Sequence, residues 1–218
     1  MTSRDRVMAA LRHEETDRPP YCVLVTGETI EQIRTHYGVD DVEAWLDNDI
    51  KQLQVPWWTW NSLGPDWKQP GIPTSPARCI GTGNYTALED NIKAMRDRSD
   101  KYFLVMIYGS HIEKAQSARG FENQMADMGM HYDFAKKLCR TIIEKNLVML
   151  ENFLSIAEID GVLLGSDWGS QRGLLMAPEM WDDLIRPGEQ AEYDLVHSYG
   201  KDVWVHACGD IQQVLGRL

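Results

Sequence analysis

A histidine and a cysteine stand two residues apart near the end of the chain, at His206 and Cys208. They belong to the run VWVHACG, which predicts a β-strand over 203–209. Alternate side chains of a strand share a face, so the imidazole and the thiol would point the same way. Such a pair can bind one zinc ion, but a catalytic zinc site needs three protein ligands. The alternative is a half-buried cysteine beside a hydrogen-bonded histidine.

Polar side chains that follow predicted strands are the further candidates for catalysis: Asp167, Arg172 and His111. Asp167 could reach the same metal or orient the His206 ring, and its alternative role is to cap a turn. Arg172 could bind an anionic substrate group or form a structural salt bridge with Glu179 or Asp182. His111 could line the pocket, or it could be a cap or a surface residue of the helix that it opens.

Tryptophans gather at the end of the second predicted strand, at Trp57, Trp58 and Trp60. Their rings could pack against a flat apolar macrocycle such as a corrin or a porphyrin, and they are therefore candidate cofactor-binding residues. The alternative is a hydrophobic plug beneath the loop that follows.

Strand and helix patterns alternate along the chain. Short apolar runs between turn signals predict five strands, at 21–25, 50–55, 102–108, 162–164 and 203–209. Helical patterns separate them, the longest over 133–158, and a segment rich in proline and glycine predicts a long loop over 61–85. Strands that alternate with helices pair in parallel. The predicted fold class is α/β, in a single domain over 1–218.

Two stretches of the sequence resemble the uroporphyrinogen decarboxylase superfamily. They are DRVMAALRHEETDRPP near the start and DGVLLGSDWGSQRGLLMAPEMWDDLIRPGEQAEYDLVHSYGKDVWVHACGDI from Asp160 onward. The resemblance is closer to the cobalamin-dependent methyltransferase branch than to the decarboxylases. It implies a (β/α)₈ barrel of the TIM type, of which about five βα units are present. Since a complete barrel takes about 250 residues, the chain is expected to be truncated at its C-terminal end, with three units missing.

The resemblance also implies a chemistry. In the methyltransferase branch a His-x-Cys at a strand end supplies two zinc ligands, which correspond to His206 and Cys208, and a cysteine further along supplies the third. The expected reaction moves a methyl group from a methyl-corrinoid, carried by a partner protein, to a small thiol. One alternative is uroporphyrinogen decarboxylase, although Arg18-Pro19-Pro20-Tyr21 is not its arginine-rich motif. Another is a catalytically silent partial-barrel subunit.

Composition limits the possible partners. The formal net charge of −11 and the pI near 5.0 argue against nucleic acids and anionic membranes. No apolar stretch approaches the roughly 20 residues of a membrane span, and the start of the chain does not have the pattern of a signal peptide, so we expect a cytoplasmic protein. The four cysteines stand at irregular spacings, typical of free thiols. An open sheet edge could pair with a second copy.

Overall fold

The computed structural model describes residues 1–58 and 85–218. The predicted loop over 61–85, apart from its last residue, and Trp60 lie outside the described residues. The helices are Ser3–Leu11 (α1), Gly27–Tyr37 (α2), Val42–Leu46 (α3), Leu88–Arg96 (α4), Ile112–Arg119 (α5), Phe121–Met130 (α6), Tyr132–Leu154 (α7), Pro178–Leu184 (α8), Arg186–Ser198 (α9) and Gln212–Leu215 (α10). The strands are Ile50–Leu53 (β1), Tyr102–Ile107 (β2), Gly161–Gly165 (β3), Gly169–Ser170 (β4), Gly173–Leu174 (β5) and Asp202–His206 (β6).

A parallel sheet of four strands, in the order β1-β2-β3-β6, forms the centre of the fold. Successive strand residues face opposite sides of a sheet, and both sides of β2 are buried. Its odd-numbered residues pack against α7 and α9 in the largest apolar cluster, whereas its even-numbered residues pack with Val7 of α1. The mixed α/β class with parallel pairing, predicted from the alternation of elements, is confirmed.

The strand predicted over 21–25 is wrong. This segment forms no strand, and Tyr21, Val23 and Leu24 are exposed. Polar side chains hold its backbone instead: Asn48 Oδ1 accepts the Val23 amide at 2.8 Å, and Asp49 Oδ2 accepts the Tyr21 amide at 2.9 Å. These side chains supply hydrogen bonds that a neighbouring strand would otherwise supply. The described sheet therefore has four strands rather than five.

Asp49 ties the N-terminal segment to the start of β1. Its fully buried carboxylate accepts hydrogen bonds from Arg6 at 2.5 Å and Arg18 at 2.6 Å, in addition to the Tyr21 amide. Burial raises the pKa of Asp49, but these hydrogen bonds outweigh burial and lower the pKa to about 2. The carboxylate is therefore charged at neutral pH and links α1 to the sheet.

Helices on both sides of the sheet follow the sequence pattern closely. Thr2 caps α1 through the Asp5 amide, and Pro187 stands in the first turn of α9, where the predicted helix restarts after α8. The longest described helix, α7, has 23 residues. No helix within 1–58 and 85–218 carries an apolar stretch long enough to cross a bilayer.

Candidate metal site at the ends of two neighbouring strands

The carboxyl ends of β3 and β6 bring three potential metal ligands together. The two strands pair in parallel with Gly165 opposite His206, and the Ser166 amide donates to the His206 carbonyl at 2.9 Å. Asp167 lies two residues beyond β3, and Cys208 lies two residues beyond β6. Because parallel strands end at the same edge of a sheet, these side chains lie side by side.

β6 ends at His206, so the strand predicted over 203–209 is too long and Cys208 lies in the following loop. The loop nevertheless keeps the thiol near the imidazole. Cys208 Sγ is 3.5 Å from His206 Nε2, and His206 Nε2 is 3.7 Å from Asp167 Oδ1. One ligand atom from each residue lies within 4.8 Å of the other two. This is the one such group of three found among the described residues.

The donor set fits zinc. Zinc binds imidazole nitrogen and carboxylate oxygen at about 2.0 Å and thiolate sulfur at about 2.3 Å, in tetrahedral geometry. In that geometry the nitrogen and sulfur ligands are about 3.5 Å apart, and the nitrogen and oxygen ligands are about 3.3 Å apart. The observed 3.5 Å and 3.7 Å lie close to these separations. His206, Cys208 and Asp167 could hold one ion and leave a fourth position for a substrate.

Two glycines allow the loop after β6 to pack closely against the hairpin formed by β4 and β5. A Cβ atom at Gly169 would lie 2.7 Å from the Cys208 carbonyl oxygen and 2.9 Å from the Asp210 amide nitrogen. Gly209 has a φ of +79° and would meet the backbone of Gly169. Ser170 also pairs with Asp210, through an amide-to-carbonyl bond of 2.8 Å. Because neither glycine has a side chain, the two backbones can come into contact. This contact fixes the position of the loop that carries Cys208.

Hydrogen bonds hold Asp167 in place from two sides. Asp167 Oδ1 accepts the Cys208 amide at 2.8 Å. The Asp167 amide donates to Glu113 Oε1, in the first turn of α5, at 2.6 Å. Glu113 was not predicted from the sequence. The signal that could have found it is its position just after β2, at the same edge of the sheet.

The site is open to solvent, and two of its acidic groups have raised pKa values. The hydrogen bond and the charge of Asp167 raise the pKa of the Cys208 thiol, and burial raises the pKa of Glu113. The His206 and Asp167 side chains are 43% and 42% exposed. Tyr108, 53% exposed, contacts the His206 ring edge-on, with the ring centroids 5.7 Å apart. The site is open, and an aromatic ring stands beside it.

Arg172 and His111 lie outside the three-residue group. Arg172 is exposed in the turn between β4 and β5, and it forms no ion pair with any described residue. Neither of the salt bridges considered for it, with Glu179 or with Asp182, is formed; Asp182 pairs with Arg217 and Arg186 instead. His111 is fully buried and contacts Glu189, with Nδ1 3.1 Å from Oε1.

Of the three tryptophans, Trp58 packs in the core rather than on an exposed face. Trp58 is fully buried among residues of α5 and α7, and its indole donates to Asn146 Oδ1 at 2.5 Å. Trp57 packs partly buried against the same cluster. Because core packing covers the Trp58 ring, it presents no face to a macrocycle in this structure. Trp60 lies outside the described residues.

Comparison with known proteins identifies a structural neighbour. The chain is similar to a solved structure described as a methyltransferase from Methanosarcina mazei, with a TM-score of 0.57 and 15% sequence identity. The match covers 99% of this chain and 72% of that one. No protein-family model matches the chain, and no curated protein matches it at a significant level. The chain therefore has a methyltransferase-like fold along nearly its whole length.

Proposed function

We propose that this protein is a methyltransferase that uses a zinc ion, held by His206, Cys208 and Asp167, to transfer a methyl group to a small thiol. The observation that carries the proposal is the group of three donor atoms, with separations of 3.5 Å and 3.7 Å that suit tetrahedral zinc. The group lies at the ends of adjacent strands in a methyltransferase-like fold. Small-molecule sites commonly occur at this edge of parallel sheets.

The protein residues provide binding and orientation. His206 and Cys208 would supply the nitrogen and the sulfur ligand, and Asp167 would supply an oxygen while its Oδ1 holds the Cys208 amide at 2.8 Å. Glu113 fixes the Asp167 backbone at 2.6 Å. Zinc held by these residues would lower the pKa of a coordinated thiol, so the substrate would be available as a thiolate at neutral pH. The released proton can pass to water, because the side chains at the site are partly exposed.

The proposed methyl donor is a methyl-corrinoid carried by a partner protein. In the transfer, the thiolate sulfur bonds to the methyl carbon while the carbon–cobalt bond breaks, and the electron pair of that bond stays on the cobalt. A donor carried by a protein needs an open approach. The exposure of His206, Asp167 and Tyr108 supplies this approach at the edge of the sheet.

The proposed fold is a (β/α)₈ barrel of the uroporphyrinogen decarboxylase superfamily, with the four parallel strands as part of its wall. Two observations support this. The strands follow chain order across the sheet and are joined by helices, and the candidate site lies at their carboxyl ends, where barrel enzymes carry their active sites.

A methyl-transfer assay tests the proposal. Zinc-loaded protein is mixed with methylcobalamin and a small thiol, and loss of the methyl–cobalt absorbance is followed together with the methylated thiol by mass spectrometry. We expect turnover in the wild type and in Cys22→Ser, a half-buried cysteine outside the site, and loss of turnover by at least about 100-fold in Cys208→Ser. Equal rates with and without Cys208, or no turnover in zinc-loaded wild type, would reject the proposed activity.

A further inference from the structure

A groove lies beside the candidate metal site, between the N-terminal segment, α2, α3 and β1. It has a volume of about 420 Å³, which is in the size range of small-molecule sites. The side chains of Val23 and Leu24, 46% and 59% exposed, form part of its wall. The other apolar wall residues are Ile30, Val42, Leu46 and Ile50. The groove therefore presents apolar surface that a ligand can cover.

The groove and the metal site lie on the same face of the sheet. Ile50 and Trp204 pack against one apolar cluster on that face, and His206, two residues after Trp204 in β6, faces the same side. Tyr108 joins the two places, because it lines the groove and its ring centroid is 5.7 Å from that of His206. Gly165, the strand neighbour of His206, has no side chain to separate these rings, and an added Cβ would lie 3.4 Å from Tyr108 Cδ1. A molecule bound at the metal site can therefore extend past Tyr108 into the groove.

The charged groups of the groove are paired within the protein. Lys51 forms an ion pair with Glu43, and both line the groove. Lys101 also lines it and forms an ion pair with Asp47. Asn48 uses its amide oxygen and its amide nitrogen on the neighbouring backbone, at 2.8 Å and 3.0 Å. The groove thus offers no unpaired cation, among the described residues that line it, to a sulfonate, phosphate or carboxylate tail, and it suits an uncharged apolar chain.

We propose that the methyl acceptor is an uncharged alkyl thiol, with its sulfur at the metal site and its carbon chain in this groove. The inference rests on the proposed methyl transfer and names its substrate class. The thiolate sulfur bonds to the methyl carbon, the carbon–cobalt bond breaks with its electron pair left on cobalt, and the thiol proton passes to water. The product is a methyl alkyl sulfide. Each methylene group that the groove buries strengthens binding by about 4-fold.

Binding of the expected product tests the groove without any turnover. Methyl butyl sulfide is titrated into the full chain, with zinc present, and the dissociation constant is measured by saturation-transfer NMR. Methyl ethyl sulfide, which is two methylene groups shorter, should bind about 10-fold more weakly, and the charged 2-(methylthio)ethanesulfonate should be weaker by at least about the same factor. Equal affinities for the three compounds, or no binding of methyl butyl sulfide, would overturn the inference.

A pair of variants with the same added charge locates the binding site. Leu24→Asp places a carboxylate in the groove wall and should weaken the binding of methyl butyl sulfide by at least about 10-fold. Met130→Asp is the control, because Met130 is 72% exposed at the end of α6 and does not line the groove. We expect wild-type binding in this control. Wild-type binding in Leu24→Asp, or equal losses in both variants, would overturn the inference.

The methyl-transfer assay separates this inference from the proposed function. We expect the KM for 1-butanethiol to be at least about 10-fold lower than the KM for 2-mercaptoethanesulfonate. Similar KM values would overturn the inference, while methyl transfer would stand. Turnover of neither thiol would reject the proposed function instead, and the sulfide titration then decides alone whether the groove binds an apolar chain.

Discussion

Replacing Gly169 with alanine should weaken the metal site from a position that carries no ligand. The new Cβ would lie 2.7 Å from the Cys208 carbonyl oxygen and 2.9 Å from the Asp210 amide nitrogen. Carbon contacts of this kind are comfortable beyond about 3.5 Å. Both neighbours are backbone atoms, so the loop that carries Cys208 must move by several tenths of an ångström, away from residue 169.

The size of the effect follows from this displacement. Overpacking of this kind costs about 1–3 kcal/mol. For a protein of this length, about 2 kcal/mol lowers the melting temperature by about 4–8 °C. The moved loop also stretches the 2.8 Å bond from the Cys208 amide to Asp167. Because residues that orient metal ligands change affinity by about 10–100-fold when altered, we expect a loss of zinc affinity in that range.

The assay is a zinc competition titration with a chromophoric chelator, combined with a thermal melt followed by circular dichroism. Gly216→Ala is the matched control, because a Cβ there meets nothing within 4 Å and its φ is −75°. We expect the control to match the wild type in both measurements. Wild-type zinc affinity in Gly169→Ala would refute the argument that this close backbone contact positions Cys208.

Two further variants test the surroundings of the site and the fold. Glu113→Ala should lower zinc affinity by about 10-fold in the same titration, because the Asp167 amide loses its acceptor. Glu113→Gln keeps an acceptor oxygen and should restore most of the zinc affinity. Equal affinities in both variants would contradict the role of Glu113 in holding Asp167. Asp49→Asn should lower the free energy of unfolding at pH 7, measured by urea denaturation, by about 3–5 kcal/mol, because it leaves Arg6 without its buried partner. The folded pKa of Asp49 is about 2, below the ordinary value of 3.8. Its stabilisation is therefore complete above about pH 4 and is lost as the pH falls towards 2, so the gap between wild type and variant should narrow over that range. A gap that stays constant would contradict the linkage.

The sequence predicted the part of the site that depends on strand order. His206 and Cys208 are local to one strand end, and Asp167 follows the strand beside it, so parallel pairing places the three positions at the same edge of the sheet. Glu113 follows β2 at the same edge of the sheet, but that position does not give the direction of its side chain. It belongs to a helix, and only the three-dimensional path of the chain after β2 turns its carboxylate towards the Asp167 amide.

The errors arose where one pattern fits two environments. An apolar run predicts a strand over 21–25, but whether its amides pair with a strand or with the side chains of Asn48 and Asp49 is decided by tertiary contacts. The aromatic cluster has the same composition whether it packs in a core or against a ligand. For Trp58, burial against α5 and α7 shows that the ring packs in the core.

X-ray absorption at the zinc edge tests the central claim most directly. The account predicts one zinc ion per chain in the wild type, with one sulfur neighbour at about 2.3 Å and nitrogen or oxygen neighbours at about 2.0–2.1 Å. Cys208→Ser should lose the sulfur neighbour and most of the bound zinc, whereas Cys22→Ser should give the wild-type spectrum. A wild-type spectrum without sulfur, or one that is unchanged in Cys208→Ser, would contradict the account.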